Sequence, residues 1–269
     1  FESIEKVIAE SQAEEVIIAV ETSEHKNLGG ILSQLEGLNI RIKIIPDIYD
    51  ILSGSVKMSS IFGAPLIEIN TQIMPEWQKF LKRFLDVSAS ISALIVLAPV
   101  YLIVGILVKS TSPGPIIFKQ ERIGQYNNPF FIYKFRSMRE NAETGVPKLA
   151  REDDPRVTPI GLFMRKTRID ELPQFFNVIK GDMSLVGPRP ERQFFIDQIL
   201  EVAPHYRHLQ KVKPGITSWG QVKYGYAENV EEMVQRLKYD VLYIENMSLA
   251  IDFKIMAYTL LTVLRGDGK

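Results

Sequence analysis

Asp170 and Glu171 stand side by side in TRIDELPQFFNVIKGDMSLVGPRPE, residues 167–191. Arg165 and Arg168 precede them within one helical turn of each other, with Lys166 between. Adjacent carboxylates among cations suit work on a phosphate. An anionic phosphate resists attack by a second anion unless positive groups or a divalent metal offset the repulsion. An ionised aspartate so placed can act as a nucleophile, forming an acyl phosphate, or as a metal ligand, and it makes a poor neutral acid. The competing explanation is structural: an N-cap aspartate with a surface glutamate beside it is common on packing helices. GDMSLVGPRPE (181–191) bears on the choice, because Gly181, Gly187, Pro188 and Pro190 stiffen the path and limit the freedom of Arg189. A guanidinium held that way suits a bidentate phosphate contact, although a structural bridge to Asp182 or Glu191 would use it equally well. In FFIYKFRSM (130–138) period-two alternation puts Lys134, Arg136 and Met138 on one side, as a phosphate clamp or as the solvated face of an edge strand.

These side chains need elements to hold them. Pro113, Gly114 and Pro115 force a turn, IIFKQ reads as a strand that Gly124 ends, and FFIYKFRSM reads as a second strand. Residues 139–157 are polar and broken by Gly and Pro, a surface loop in which Asp153 and Asp154 offer a nonspecific metal contact. A helix is predicted from near Ile160 through Arg168. Pro173 belongs in the first turn of a helix, where its missing N–H has no partner, which makes Asp170 the expected N-cap of a helix through LPQFFNVIK. Leu172, Phe175, Phe176 and Ile179 would be its buried face, with Asp170, Gln174 and Asn177 recurring at i, i+4 and i+7. Free backbone N–H groups and the nearby cations would then favour the ionised form of Asp170.

From Val87 to Val108 the chain runs 22 residues without a charge. As a straight helix this is roughly 33 Å, about the hydrocarbon thickness of a bilayer. Pro99 lies just past the midpoint and predicts a kink. Lys79, Lys82 and Arg83 precede the segment, and Lys109, Lys119 and Arg122 follow it. Basic residues on both flanks favour a helix that turns back to the leaflet it entered over one that spans. Asp86 sits where the segment begins, within reach of Lys82 or Arg83. Downstream, SWGQVKYGY places Trp219, Tyr224 and Tyr226 beside Lys223, and residues 241–266 end in a largely apolar helix that either lies in the interface or packs in the core.

The front of the chain differs. Residues 1–76 hold 5 basic and 12 acidic residues, whereas residues 77–269 hold 27 basic and 20 acidic, so a neutral total conceals two opposed units. The positive unit suits an anionic membrane surface or a phosphorylated substrate. No basic run with interleaved aromatics and no zinc finger is present, which argues against nucleic acid. The absence of cysteine excludes disulfides, thiolate zinc sites and cysteine nucleophiles. IEKVIAES has helical spacing, EEVIIAV (14–20) reads as a buried strand, HKNLGGILSQLEGL as a helix and IRIKIIP (40–46) as a second strand. That order predicts a parallel sheet with crossover helices, too small to be a complete open sheet. The Gly29-Gly30 pair lacks the spacing of a phosphate loop. His205 and His208 share a helical face without a convincing third metal ligand. FESIEKVIAE, with no initiator Met and no signal-peptide core, predicts a start inside a longer protein.

The segments KFRSM, RKTRIDELPQFFNVIKGDMSLVGPRP, KVKPGITSWGQV and RLKYDVLYIENMSLAIDFKI, in that order after the greasy segment, resemble the monotopic bacterial polyprenyl-phosphate phosphoglycosyl transferases, the bacterial sugar transferases. The resemblance covers roughly residues 77–267. It implies that Asp170 is the nucleophile and Glu171 its dyad partner. Asp170 would attack the sugar-linked phosphate of a UDP-sugar, glucose or galactose being the expected sugars, release UMP, and pass the phosphosugar to polyprenyl (undecaprenyl) phosphate. This would begin exopolysaccharide, capsule or O-antigen assembly. The resemblance further implies Mg²⁺ at Asp170, a phosphate contact from Arg165, and an anion-binding wall of Lys134, Arg136 and Arg189. The fold implied is an α/β partial Rossmann-like unit over 1–75, a re-entrant membrane helix over 76–109 kinked at Pro99, and a mostly α monotopic catalytic domain with interfacial helices over 110–269. The family's Ser-Pro at the kink is Ala98-Pro99 in this chain. The place implied is the cytoplasmic face of the bacterial inner membrane, with spanning helices in a further N-terminal region and a homodimer through the front unit left open. Two other accounts stay open on the residues: a non-enzymatic scaffold of a polysaccharide assembly complex, and a metal-dependent phosphodiester transferase without a covalent intermediate.

Overall fold

The computed structural model describes residues 73–140, 154–225 and 227–265 continuously, with 13–19, 41–44, 67–69 and single positions elsewhere. The chain forms two compact units, Phe1–Ile73 and Met74–Lys269. In the first, β1 (Glu15–Ile18) and β2 (Arg41–Ile44) pair in parallel, with Val16 opposite Ile42. β3 (Ile67–Ile69) adds antiparallel to β2, with Lys43 opposite Glu68. Both expected strands form, and β3 is an addition to them. Its apolar–acidic–apolar run is too short to signal a strand without the neighbour it pairs with. Most of the two expected helices, the Gly29-Gly30 pair, Asp153 and Tyr226 lie outside the described residues.

The second unit is mostly helical and opens on a bent pair. α1 (Glu76–Val96) and α2 (Ala98–Thr111) meet at 63° across Leu97. Pro99 falls in the first turn of α2, where its lack of an N–H removes no helical hydrogen bond, so the break precedes it. Leu97 N–H still donates to Ala93 O at 2.8 Å, and Tyr101 N–H to Leu97 O at 3.0 Å, so the bend leaves the flanking turns paired. Among the described residues no single helix is long and apolar enough to cross a membrane; the pair reaches that length and composition only together.

α1 is polar inside and apolar outside. Lys82, Asp86 and Ser90 are buried at i, i+4 and i+8, while Phe80 is 76% and Ile95 70% exposed. The buried stripe is fully engaged: Lys82 Nζ donates to Asp252 Oδ2 at 2.6 Å and to Val186 O at 3.1 Å, and Asp86 Oδ2 accepts from Ser184 Oγ at 2.6 Å. Asp86 is also 4.0 Å from Lys82, as its position suggested. Arg83 donates to Val178 O and Ile179 O at 2.6 and 3.0 Å, satisfying carbonyls at the end of a later helix that carries the site. Such an inversion suits a helix whose outer face meets hydrocarbon, where apolar exposure costs nothing.

β4 (Ile117–Ile123) and β5 (Pro129–Phe135) form an antiparallel hairpin with Phe118 opposite Lys134. α3 (Pro159–Lys166), capped by Thr158 Oγ1 accepting from Gly161 N–H at 3.0 Å, leads toward the acidic pair. α4 (Gln174–Lys180) follows, then β6 (Ser184–Val186), which pairs in parallel with β7 (Gly215–Thr217). A Cβ at Gly187 would lie 2.4 Å from Lys213 O, so only glycine admits this approach. α5 (Gln193–Val202), the short α6 (Trp219–Lys223), α7 (Val230–Glu245) and α8 (Leu249–Arg265) complete the unit.

Val104 and Val108 of α2, Phe135 of β5 and Met164 of α3 form one core cluster, with Tyr101, Ile169 and Leu172 packed on it. The bent pair is therefore part of the floor under residues 169–172. Met164→Ala, at a position only 1% exposed, is expected to cost about 2–5 kcal/mol. Leu162→Ala, half-exposed on the same helix, should stay within about 0.5 kcal/mol of wild type. Thermal unfolding of both variants in detergent checks the pair; equal loss would mean that α3 does not pack as described.

Candidate active site

Asp170 does not cap α4. It lies in a single 3₁₀ turn, Ile169–Glu171, after Arg168 has swung into the left-handed region at φ 57°. α4 starts only after Pro173 and has no side-chain cap. The left-handed residue and Pro173 together impose a tight turn that holds both carboxylates inward, Asp170 at 7% and Glu171 at 5% exposure. The expected buried face of α4 forms only in part, with Leu172, Phe175 and Ile179 half-buried. Gln174 and Asn177 are buried with Val178, whereas Phe176 is 52% exposed. The polar stripe that begins at Asp170 therefore faces the interior.

Asn177 shows why. Its Oδ1 accepts from Tyr133 N–H at 3.0 Å and its Nδ2 donates to Phe131 O at 2.7 Å. One amide thus satisfies the open backbone of β5 in place of a neighbouring strand and fixes α4 beside the hairpin. From the other side, Tyr101 OH on α2 donates to Leu172 O at 2.6 Å. The acidic turn is pinned between a strand edge and the bent helix pair.

Around it the cations are unequally shared. Glu171 Oε1 accepts from Lys134 Nζ at 2.8 Å, and its Oε2 accepts from Arg168 Nη2 at 2.6 Å and Nε at 3.2 Å. Arg189 Nη1 stands 3.5 Å from the same carboxylate. Burial alone would raise Glu171, but Arg168, Lys134 and Arg189 outweigh it and hold the group well below the usual carboxylate range. No hydrogen bond reaches the carboxylate of Asp170 among the described residues. Burial pushes it up to about 6; Lys134, Arg165 and Arg168 pull it down and the charge on Glu171 pushes it further up. The expected stabilisation of ionised Asp170 is therefore reversed in sign, because desolvation exceeds what the shared cations return. The group is still mostly ionised near neutrality, and it is more basic than an ordinary aspartate.

Four of the expected cations part into two groups. Lys134, Arg165 and Arg189 converge on the acidic pair, with Arg165 Nε also donating to Ser137 Oγ at 3.0 Å. Arg136 turns to the end of α2, where its Nη2 donates to Ser112 O at 2.7 Å and Oγ at 2.8 Å. β5 ends at Phe135, so alternation no longer sets the direction of Arg136. Arg189 lies nearer Glu171 than Glu191, whose carboxylate is taken by Arg122 and Arg236 at 3.1 and 2.7 Å. Asp154 is held by Arg156 Nε at 2.8 Å, and among the described residues no group of three or more acidic or histidine side chains forms a metal cluster. His208 Nε2 lies 2.7 Å from Glu245 Oε1, an ion pair only if the histidine is protonated.

Sequence reasoning missed Gln221. One end of its amide faces donors and the other acceptors, so its carbonyl oxygen turns to the donors and accepts from Arg189 Nη1 at 2.7 Å and Arg168 Nη2 at 3.1 Å. A Gln in a five-residue helix carries no spacing signal. Asn177 and Gln174 were noted only as a stripe, and their burial inside an acidic turn was the available clue.

The arrangement sets one committed and one open carboxylate among shared cations. Residues 77–266 match the family described as bacterial sugar transferase, and the chain belongs to that family. It is 41% identical over 230 residues to a UDP-N-acetylgalactosamine-undecaprenyl-phosphate N-acetylgalactosaminephosphotransferase of Aeromonas hydrophila, covering 86% of this chain and 54% of that protein. It is 34% identical over 253 residues to the UDP-glucose:undecaprenyl-phosphate glucose-1-phosphate transferase of Escherichia coli (strain K12), covering 93% and 54%. The exopolysaccharide production protein PSS of Rhizobium leguminosarum bv. phaseoli is 39% identical over 196 residues, 70% of this chain and 98% of that protein. The chain thus spans about half the length of the first two relatives.

The sign of the Asp170 shift has a consequence for stability. A carboxyl whose folded value exceeds its unfolded value favours the fold only while neutral, so its cost is absent below about pH 4 and complete above about pH 6. Asp170→Asn removes that cost and should stabilise the protein by about 1–3 kcal/mol at pH 7.5, with the gain vanishing near pH 4. Urea titrations at the two pH values measure it, and a less stable Asn variant at pH 7.5 would contradict the assignment.

Proposed function

We propose that the chain transfers a sugar 1-phosphate from a UDP-sugar to a polyprenyl phosphate, with Asp170 as the covalent nucleophile. The observation that carries this reading is the open carboxylate of Asp170 beside a Glu171 already satisfied by Lys134, Arg168 and Arg189. A base raised to about 6 is ionised at neutral pH and donates its electron pair more readily than an ordinary aspartate. An Asp170 oxygen attacks the sugar-linked phosphorus, the bond from that phosphorus to the bridging oxygen breaks, and UMP leaves with the electron pair. A phosphate oxygen of the polyprenyl acceptor then attacks the same phosphorus and breaks its bond to Asp170, restoring the carboxylate. Lys134, Arg165, Arg168 and Arg189 offset the charge of the phosphates in both displacements. Glu171, held ionised, fixes three of those cations in place.

Mg²⁺ binds through one or two carboxylates and completes its shell with water and substrate phosphates. Asp170 fits as such a single ligand, because its oxygens are open and no other acidic side chain need join it. When bound there the ion supplies charge neutralisation at the phosphate oxygens. Arg136 contributes least to the anion-binding wall, since its Nη2 is turned to Ser112 at the end of α2.

The exposed apolar face of α1 and α2 supports a re-entrant insertion into the cytoplasmic leaflet of the bacterial inner membrane, with the acidic turn against α2 at that surface. There an acceptor phosphate whose chain remains in the lipid is within reach. Glucose, galactose and N-acetylgalactosamine donors all figure in the names of relatives, so the donor is proposed at the level of a UDP-sugar.

The test is trapping. With labelled UDP-sugar and Mg²⁺ but no acceptor, the protein should retain label on Asp170 and release one equivalent of UMP, and added polyprenyl phosphate should discharge it. Asp170→Asn should retain none. The trapping rate should rise with pH and level off above about 6. Release of UMP only when acceptor is present, with no adduct, would favour direct transfer instead.

A further inference from the structure

Gly181 ends α4 in the left-handed conformation, at φ 102°. A Cβ there would meet, within 4 Å and beyond its chain neighbours, only Arg83 Nη2 at 3.6 Å and Lys213 Nζ at 3.8 Å. Two cationic heads from distant parts of the chain thus flank one small gap. Arg83 gives hydrogen bonds to the carbonyls of Val178 and Ile179 but keeps its charge. Lys213 is half-buried, and among the described residues its ammonium has no hydrogen-bond or ion-pair partner. The two carboxylates in its field are engaged elsewhere. Asp86 accepts from Ser184 Oγ at 2.6 Å, and Asp182 pairs with Lys180 at 3.0 Å. Burial, and after it the charge of Arg83, lower the Lys213 ammonium from its usual value, with Asp86 and Asp182 acting in the other direction. Like charges held side by side repel unless an anion joins them.

We infer that Arg83 and Lys213 form a site for the phosphate of an anionic phospholipid headgroup, where α1 enters the leaflet. The inference rests on the leaflet seating proposed above. Depth supports it. The uncharged run of the chain begins at Val87, one helical turn beyond Arg83, roughly 6 Å along the axis. Trp77, Phe80 and Phe84 are exposed at the same level of α1, and aromatic side chains collect at the headgroup layer. Helical spacing puts Arg83 on the flank between this aromatic face and the buried stripe of Lys82 and Asp86. A phosphate in the gap could reach both cations while its acyl chains lie along the apolar face. The polyprenyl acceptor fits less well, because its phosphorus must come to residue 170. Gly181 stands at the other end of α4, roughly 16 Å farther along the chain at 1.5 Å per residue.

Native mass spectrometry of the full chain in detergent, titrated with phosphatidylglycerol or with zwitterionic phosphatidylcholine, tests the site. One phosphatidylglycerol should bind more tightly than phosphatidylcholine. Lys213→Gln should weaken it about fivefold, the usual worth of one basic residue at an anionic lipid surface, and leave phosphatidylcholine unchanged. Lys213→Arg should retain the preference. Lys238→Gln, which removes the same charge from the exposed side of α7, should have no effect. Lys213→Gln deletes no protein contact, so its unfolding midpoint should stay near wild type. Wild-type protein without the preference overturns the inference. So does an equal loss in Lys213→Gln and Lys238→Gln, or one-for-one displacement of the phosphatidylglycerol by polyprenyl phosphate. Flotation with phosphatidylcholine vesicles keeps the two readings apart: protein that fails to float refutes the leaflet seating, whereas protein that floats without a lipid preference refutes the site alone.

Discussion

Two carboxylates on adjacent residues cannot be satisfied equally by one set of cations, and the second unit is organised around that inequality. Glu171 receives Lys134 and Arg168 directly and Arg189 close by. Asp170, buried to nearly the same degree, receives only their field. Desolvation then acts on each with opposite outcome: it is overcome at Glu171 and prevails at Asp170. The fold thus keeps one negative charge as structure and the other as an unspent, basic oxygen. The instability of an open buried carboxylate is the sort of local cost that active sites carry.

The rest of the unit can be understood as the means of sustaining the inequality. A left-handed Arg168 and Pro173 make the turn. Asn177 ties the following helix to a strand edge, and Arg83 satisfies that helix's last carbonyls. Tyr101 reaches the backbone at Leu172 from the bent pair, so the element with the greasiest surface also bears on the acidic turn. The bent apolar pair and the acidic turn therefore share one set of contacts, and a change in the angle between α1 and α2 would be felt at residues 170–172.

Much of this was legible in the sequence. A long uncharged run with a proline in it has few outcomes, and the bend formed. The acidic pair, Arg165 and the stiffened Arg189 were visible as a constellation because their spacing is local. What failed did so for physical reasons. Treating Phe175 and Phe176 as a buried face assumed that apolar means inside, yet Phe176 is exposed and Gln174 and Asn177 are buried, the same inversion seen along α1. Asp170 was assigned as an N-cap because the left-handed turn at Arg168 leaves no mark in residue type. Arg136 was placed by alternation beyond the point where its strand ends. Gln221 and Tyr101 act through partners far away in sequence, 71 residues in the case of Tyr101 and Leu172, and no periodicity reports such pairs.

The central claim is the split in basicity between neighbours, and it can be observed without any substrate. Carbon-13 labelling of aspartate and glutamate carboxyls, with Asp170→Asn and Glu171→Gln used to assign the signals, gives the two titrations in the detergent-solubilised protein. The account predicts that Asp170 titrates near 6 and that Glu171 stays ionised until the protein unfolds in acid. Two carboxyls titrating together near 4, or Glu171 titrating above Asp170, would contradict it.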